Sequence, residues 1–195
     1  SVTGVQTCAL PIFGLIYATG NGVRKDMGQA VAWIRKSAEQ GDLPAQKKLA
    51  GMYANGQGTP KDAAQAAIWY GRAAEQGDAE SQYGLGFLYS KGDGVPKDLT
   101  RAVEWFRKAA DQGNADAEYN LGYMYASGEG VPKDETLAAM WVRRAAEQGN
   151  AVAELTLGSM YQSGSGVPMD KISAYAWFSL SAEHGNQNAK VSLSA

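Results

Sequence analysis

The chain has 195 residues, of which 45% are apolar and 19% charged, and its formal net charge is −2. This composition is typical of a globular domain, and the balanced charge argues against an electrostatic nucleic-acid binder. No apolar stretch reaches the roughly 18 residues that a membrane span needs. A single cysteine and a single histidine exclude a disulfide framework and a Cys-built zinc site, and leave little room for histidine catalysis.

Three residue types recur every 36 residues, with no insertion across five periods. The recurring positions are Gly20, Gly56, Gly92, Gly128 and Gly164; Trp33, Trp69, Trp105, Trp141 and Trp177; and Tyr17, Tyr53, Tyr89, Tyr125 and Tyr161. Three ladders in phase are the mark of a tandem-repeat architecture. The sequence therefore predicts full repeat units at 42–77, 78–113, 114–149 and 150–185, with partial units at 13–41 and 186–195.

The first twelve residues carry no repeat signal. The run from Val2 to Ile12, VTGVQTCALPI, matches the in-frame translation of a common short-read sequencing adapter. We therefore expect residues 1–12 not to be native, so that nothing follows from Cys8, and the repeat array to continue beyond both ends of this sequence. The alternative is an irregular N-terminal capping segment.

Each repeat contains signals for two helices. In the unit 42–77, Asp42 is a helix N-cap, and Ala45, Leu49, Met52 and Tyr53 follow at helical spacing on one face. The segment 56–62, GQGTPKD, then breaks the chain with glycine and proline, and Asp62 caps a second helix. The apolar face of that second helix comprises Ala66, Trp69, Tyr70, Ala73 and Ala74. Each period is therefore predicted to be a helical hairpin that buries its apolar face against neighbouring hairpins.

Glycine also recurs inside the first helices, at Gly86, Gly122 and Gly158. Glycine in a helix interior costs about 1 kcal/mol relative to alanine. Its presence in three copies predicts that two helices approach each other closely at this point.

The combined pattern A-x-x-x-L-G-x-x-Y, G-x-G-V-P-K-D and A-x-x-W-[YF]-x-x-A-A-x-Q-G resembles the Sel1-like repeat, a relative of the tetratricopeptide repeat. The segments 92–98 and 128–134 fit the loop fully, whereas Arg24 and Met169 depart from it in the outer copies. The resemblance covers roughly residues 13–195. It implies an all-α fold, a right-handed α-α superhelix of about five hairpins, used as a protein-interaction scaffold. It also implies a bacterial source.

The candidate chemical motifs have structural interpretations. His184 lies at a second-helix end, in the place of Gln40, Gln76, Gln112 and Gln148, with no partner cluster in the sequence. The G-x-G pairs follow no strand and precede no Gly-Lys-[Ser/Thr], so they indicate turns and not a phosphate loop. We therefore expect no catalytic residues, no metal ligands and no cofactor.

In tetratricopeptide-like arrays the first helices line the concave face, and the resemblance transfers this expectation here. Positions that point away from the core vary between copies, and six of them are candidate partner-binding residues: Phe87, Tyr123, Lys48, Asn55, Lys91 and Asn120. Phe87 and Tyr123 are the candidate anchors, because exposed aromatic residues often dominate interfaces. The alternative is that both pack against the neighbouring repeat.

The predicted function is a non-catalytic scaffold that binds a protein or peptide on the concave groove, with no nucleic-acid partner and no membrane insertion. The alternative function is a spacer or assembly module of a larger chain, with self-association from end to end. The sequence leaves the cellular compartment open.

Overall fold

A computed structural model describes the backbone of residues 2–193 and the side chains of residues 11–193. Within this part every regular element is a helix. The helices are α1 (Val2–Thr19), α2 (Met27–Glu39), α3 (Leu43–Asn55), α4 (Ala63–Glu75), α5 (Ala79–Lys91), α6 (Leu99–Ala110), α7 (Ala115–Ser127), α8 (Glu135–Glu147), α9 (Ala151–Ser163), α10 (Lys171–Glu183) and α11 (Gln187–Ser192).

The helix boundaries follow from the caps that the sequence predicts. Asp42 accepts a hydrogen bond from the Ala45 amide at 3.0 Å, and Asp62 does the same for Gln65. The first helices end on glycines in the left-handed conformation, such as Gly56 with φ of 70°. Glycine is favoured there because a side chain at positive φ is strained. The same kinds of side-chain cap and glycine turn thus recur in each repeat.

The chain divides into two compact units, residues 1–97 and residues 98–195, called unit 1 and unit 2 below. In unit 1, Leu49, Met52 and Tyr53 of α3 are buried together with Ala66 and Trp69 of α4. In unit 2, a buried cluster combines Leu157 and Met160 of α9 with residues of α8, Ala138 and Val142 among them. Each core therefore contains the apolar faces that helical spacing predicts.

The glycines inside the first helices of unit 2 permit the predicted close approach. A Cβ atom on Gly122 would lie 2.7 Å from Val142 Cγ2 and 3.0 Å from the Ala138 carbonyl oxygen. A Cβ atom on Gly158 would lie 2.6 Å from the Phe178 ring. The predicted reason for these two glycines is confirmed.

The second glycine of the G-x-G loop joins one repeat to the one before it. A Cβ atom on Gly94 would lie 2.2 Å from the Ala63 carbonyl carbon at the start of α4. In unit 2, a Cβ atom on Gly166 would lie 1.9 Å from the Glu135 carbonyl oxygen at the start of α8. These glycines are therefore turn residues, as predicted, and also points of backbone contact between repeats.

The segment before the first predicted repeat is helical. Helix α1 runs from Val2 to Thr19 and includes Pro11. The alternative to adapter sequence was an irregular capping segment, and the predicted irregular conformation is wrong because the segment is helical. The adapter origin of residues 1–12 stays a prediction.

Candidate functional site

Unit 1 carries an open groove of about 610 Å³ on the outward face of α3. Its lining residues come from the start of α3, from the polar face of that helix, and from α4 and the beginning of α5: Leu43, Pro44, Lys47, Lys48, Gly51, Asn55, Gln57, Tyr70, Asp78 and Glu80. Two candidate residues, Lys48 and Asn55, are among them. We call this the α3 groove.

The groove exists because one position of the repeat, called a slot below, holds glycine in α3. Gly51 lies at the slot that Phe87 and Tyr123 occupy in the next two copies, and Gly84 at the slot of Asn120. A Cβ atom on Gly51 would have only the Tyr70 hydroxyl within 4 Å, at 4.0 Å. The missing side chain at Gly51 leaves room for a ligand group beside α3, whereas the Tyr70 ring fills the space at Gly84.

Tyr70 supplies a hydroxyl group where other copies are apolar. The same second-helix slot holds Ile34, Phe106, Val142 and Phe178, which are buried, whereas Tyr70 is half-buried. Its ring lies against α5, since a Cβ atom on Gly84 would be 3.2 Å from two ring carbons. Burial, helped by the negative charge of Glu80, raises the pKa of the Tyr70 phenol, which therefore stays a neutral hydrogen-bond donor.

One of the two lysines in the groove is already paired. The Lys47 ammonium lies 2.9 Å from a carboxylate oxygen of Glu80 and 2.9 Å from one of Asp78. Hydrogen bonds to Glu80 and then Asp78 raise the pKa of Lys47. Burial by itself would raise the pKa of Asp78, but hydrogen bonds from Lys47 and Ser81 lower it overall. The ion-paired cluster of Lys47, Asp78 and Glu80 therefore forms one side of the groove.

Lys48 and Asn55 present the polar groups that remain. Lys48 is exposed and forms no ion pair within the described residues. The Asn55 side-chain amide donates to the Gly51 carbonyl at 3.0 Å, which fixes the carboxamide on the helix surface. The groove therefore combines one uncommitted cation, a phenol hydroxyl and an amide with the apolar side chains of Leu43 and Pro44.

The other candidate residues lie outside the α3 groove. Phe87 is 41% exposed and packs near Tyr83, with ring centroids 6.4 Å apart, while the Lys91 ammonium lies 5.5 Å from the Phe87 centroid. In unit 2, Tyr123 is 53% exposed and the half-buried Asn120 donates to the Asp116 carbonyl at 2.7 Å. The structure thus pairs Phe87 with Lys91 and leaves Tyr123 accessible.

Sequence reasoning missed Tyr70, Lys47 and the partner of His184. A signal for Tyr70 was present, because its hydroxyl departs from an otherwise apolar ladder. The sequence indicates a structural role for His184 without naming its partner, which is buried Glu154: the His184 Nδ1 atom lies 2.8 and 2.9 Å from the two carboxylate oxygens. One histidine and one carboxylate make a structural pair, and no metal-binding group of three or more ligands occurs among the described residues.

The Sel1 repeat model matches residues 14–42, 43–78, 79–114, 115–150 and 151–186. The chain belongs to the Sel1 repeat family. Sel1 repeat proteins generally mediate protein–protein interactions and are generally non-catalytic. The expected fold class, an all-α array of tandem helical hairpins, is confirmed.

Solved structures of Sel1 repeat proteins resemble this chain over nearly all of its length. The c5321 protein of uropathogenic Escherichia coli, described as a protective antigen, is 42% identical with a TM-score of 0.90, and the match covers 96% of this chain and 40% of c5321. A Sel1 repeat protein from Oxalobacter formigenes is 37% identical with a TM-score of 0.87, covering 96% of this chain and 75% of that protein. The present chain thus spans less than half of c5321.

The cysteine-rich protein B of Helicobacter pylori is more distant. It is 26% identical with a TM-score of 0.52, and the match covers 69% of this chain and 96% of that protein. No significant match was found among curated proteins. None of the described helices combines the length and hydropathy needed to cross a bilayer.

Proposed function

We propose that this chain is a non-catalytic scaffold that binds a peptide segment of a partner protein in the α3 groove. The observation that carries the proposal is the opening made by Gly51 beside the Tyr70 hydroxyl. Family membership supports the class of function, since Sel1 repeats generally bind proteins.

Each group in the groove has a role in this proposal. Lys48 binds an acidic group of the peptide, because it is the lining cation without an ion pair in the described structure. Tyr70 and Asn55 bind the peptide backbone through hydrogen bonds. Leu43 and Pro44 contact its apolar side chains. Phe87 in unit 1 and Tyr123 in unit 2 act as further, separate anchors for the partner protein.

The test is a selection of peptides from a displayed random library on the immobilised chain. Peptides that bind the natural sequence should bind Gly51→Phe at least about tenfold more weakly, because the phenyl ring occupies the groove as Phe87 occupies the same slot one repeat later. The matched control is Gly71→Phe in α4, where a Cβ atom would meet nothing within 4 Å. Equal helicity of both variants by circular dichroism makes the comparison valid.

Two results would count against the proposal. If no peptide is reproducibly enriched, the chain does not bind short segments in this groove, and a spacer function is favoured. If Gly51→Phe and Gly71→Phe bind the selected peptides equally well, the binding surface lies elsewhere, and Phe87→Ala and Tyr123→Ala become the next variants to measure.

A further inference from the structure

The outer surface of α10 differs from that of the second helix in the other repeats. Met169, just before α10, replaces the lysines Lys25, Lys61, Lys97 and Lys133. Leu180 replaces the cations Lys36, Arg72, Lys108 and Arg144. Ile172 replaces the smaller Gly28, Ala64, Thr100 and Thr136. Three slots that are cationic or small in four copies are thus large and apolar in the fifth.

These three side chains are exposed and share one face. Met169, Ile172 and Leu180 are 63%, 84% and 39% exposed. Ile172, Ala176 and Leu180 follow one another at intervals of four residues, which places them on one side of a helix. Met169 extends the row towards the loop. We call these four residues the α10 strip.

A further repeat packed after α10 would leave the strip exposed. The slots of Met169, Ile172 and Leu180 are exposed in all four earlier copies, including those followed by another repeat. Tyr175 is different, because its slot holds buried residues in the earlier copies, namely Val31, Ala67, Val103 and Ala139. Tyr175 is therefore left out of the strip, and the exposure of the strip is a property of the fifth repeat itself.

Charge identifies what can cover the strip. Between Ile172 and Ala182, α10 contains no charged residue, whereas α2, α4, α6 and α8 each carry Lys or Arg at the Leu180 slot. Packing the strip on one of those helices would remove the cation at that slot from water, which is costly. Among the second helices of this chain α10 carries no such cation, so α10 of a second copy is the face that avoids this cost.

The ends of α10 favour an antiparallel pair. Glu183, at the C-terminal end, is exposed and forms no ion pair within the described residues, and the same holds for Lys171 at the N-terminal end. A two-fold axis at Ala176 would place Ile172 against Leu180 of the second copy. It would also bring each Glu183 to the N-terminal end of the other α10, near the Lys171 ammonium.

We propose that two copies of the chain associate through the α10 strip, in an antiparallel helix pair that crosses at Ala176. The small side chains of Ala176 and Ser179 allow the two helices to approach closely, and the apolar contact is made by Ile172, Leu180 and Met169. The strip is short, so the association is weak and reversible. The α10 strip shares no residue with the α3 groove.

A cysteine cross-link tests the crossing point. In a chain carrying Cys8→Ser, the substitution Ala176→Cys should give a reducible covalent dimer on mild oxidation, because the axis brings the two copies of this residue together. The control is Ile68→Cys, at the same slot of α4 and 48% exposed. Dimer formation at least about tenfold faster for Ala176→Cys supports the proposal. Equal rates for the two variants, or no dimer from Ala176→Cys, overturn the crossing.

Sedimentation equilibrium tests the association without any cross-link. The natural sequence should show a mass that rises towards a dimer between about 10 and about 500 µM. The triple variant Met169→Lys/Ile172→Thr/Leu180→Arg, which restores residue types found in the other copies, should remain a monomer. The control Ile68→Thr/Met140→Thr should associate as the natural sequence does. A natural sequence that stays monomeric throughout, or a triple variant that still dimerises, would refute the proposal.

Discussion

The two units bury different groups at the same slot of the first helix. Unit 1 has Gln46 and Gln82 there, whereas unit 2 has Glu118 and Glu154, and all four are almost completely buried. An amide needs only hydrogen bonds when it leaves water, but a carboxylate also needs a positive partner. The comparison therefore shows how one backbone accommodates a neutral or a charged group in its interior.

Unit 1 satisfies the Gln46 amide with neutral partners. The Gln46 side-chain amide donates to the Ala38 carbonyl at 3.1 Å, and its oxygen accepts a hydrogen bond from Gln76 at 2.7 Å. In unit 2 the equivalent of Gln76 is Gln148, which donates to Glu118 at 2.6 Å. Arg144 adds an ion pair to Glu118 at 2.9 Å. The negative charge of Glu118 is thus balanced by Arg144, which also stacks on Trp141.

The second buried carboxylate, Glu154, is paired with a histidine and not with an arginine. Glu154 has Leu180 at the slot where an arginine serves Glu118, and His184 at the slot of Gln148. The His184 ring contacts both oxygens of Glu154. The replacement of arginine by leucine and the replacement of glutamine by histidine therefore belong together. The first exposes an apolar side chain, and the second supplies the missing partner.

The largest expected effect is that of Arg144→Ala. Removing the cation leaves Glu118 buried with one hydrogen-bond donor, and we expect the free energy of unfolding to fall by about 2–3 kcal/mol, less than for a fully buried pair because Arg144 is partly exposed. Arg72→Ala is the matched change in unit 1, where only stacking on Trp69 is lost, at a cost of about 0.5–1 kcal/mol. Urea unfolding followed by circular dichroism measures both. Equal losses would mean that the Glu118 charge needs no arginine.

The next effect is that of His184→Ala, for which we expect a loss of about 1–2 kcal/mol because a buried carboxylate loses its partner. Gln148→Ala is the control at the same slot, and it should cost less, since Arg144 still neutralises Glu118. Adding Leu180→Arg to His184→Ala should restore part of the stability. A double variant no more stable than His184→Ala would show that the two slots do not compensate each other.

A smaller effect is expected in the pH dependence of Glu118→Gln. Burial raises the pKa of Glu118 above its usual value of 4.5, although Arg144 and Gln148 oppose the shift. The folded state then holds the Glu118 proton more tightly than the unfolded chain does. The contribution of Glu118 to the free energy of unfolding is therefore complete below pH 4.5, and it is lost as the pH rises through the raised pKa. The stability of Glu118→Gln relative to the natural sequence should therefore increase with pH. Unfolding measured at several pH values from about 4 to about 7 tests this, and a constant difference would contradict it.

The smallest effect is a gain in unit 1. Gly71 lies inside α4 at the slot where unit 2 has Arg107 and Arg143, and a Cβ atom there would meet nothing within 4 Å. Gly71→Ala should raise the free energy of unfolding by about 0.5–1 kcal/mol. Gly122→Ala in unit 2 should lower it, because the new methyl group would meet Val142 at 2.7 Å. Thermal melts of the two variants should move in opposite directions, and a shift of both in one direction would disprove the packing argument.

The sequence by itself determined the repeat, the hairpin and the caps. Asp42, Gly56 and Asp62 act within their own turn of chain, so their roles can be read locally. The apolar faces were predictable for the same reason, because residues three and four positions apart share a side of a helix. Even the interior glycine of α7, Gly122, could be explained in advance as a point of close approach.

Only the tertiary structure decided which outward positions form a site and which polar groups are buried. The α3 groove depends on Gly51, on Tyr70 and on Gly84, against which the Tyr70 ring packs; these residues come from three helices and are up to 33 residues apart in the sequence. The pairs of Glu118 with Arg144 and of Glu154 with His184 join residues 26 and 30 positions apart. Local spacing fixes the face of a helix on which a side chain lies, but its partner across the helix interface depends on how the helices pack.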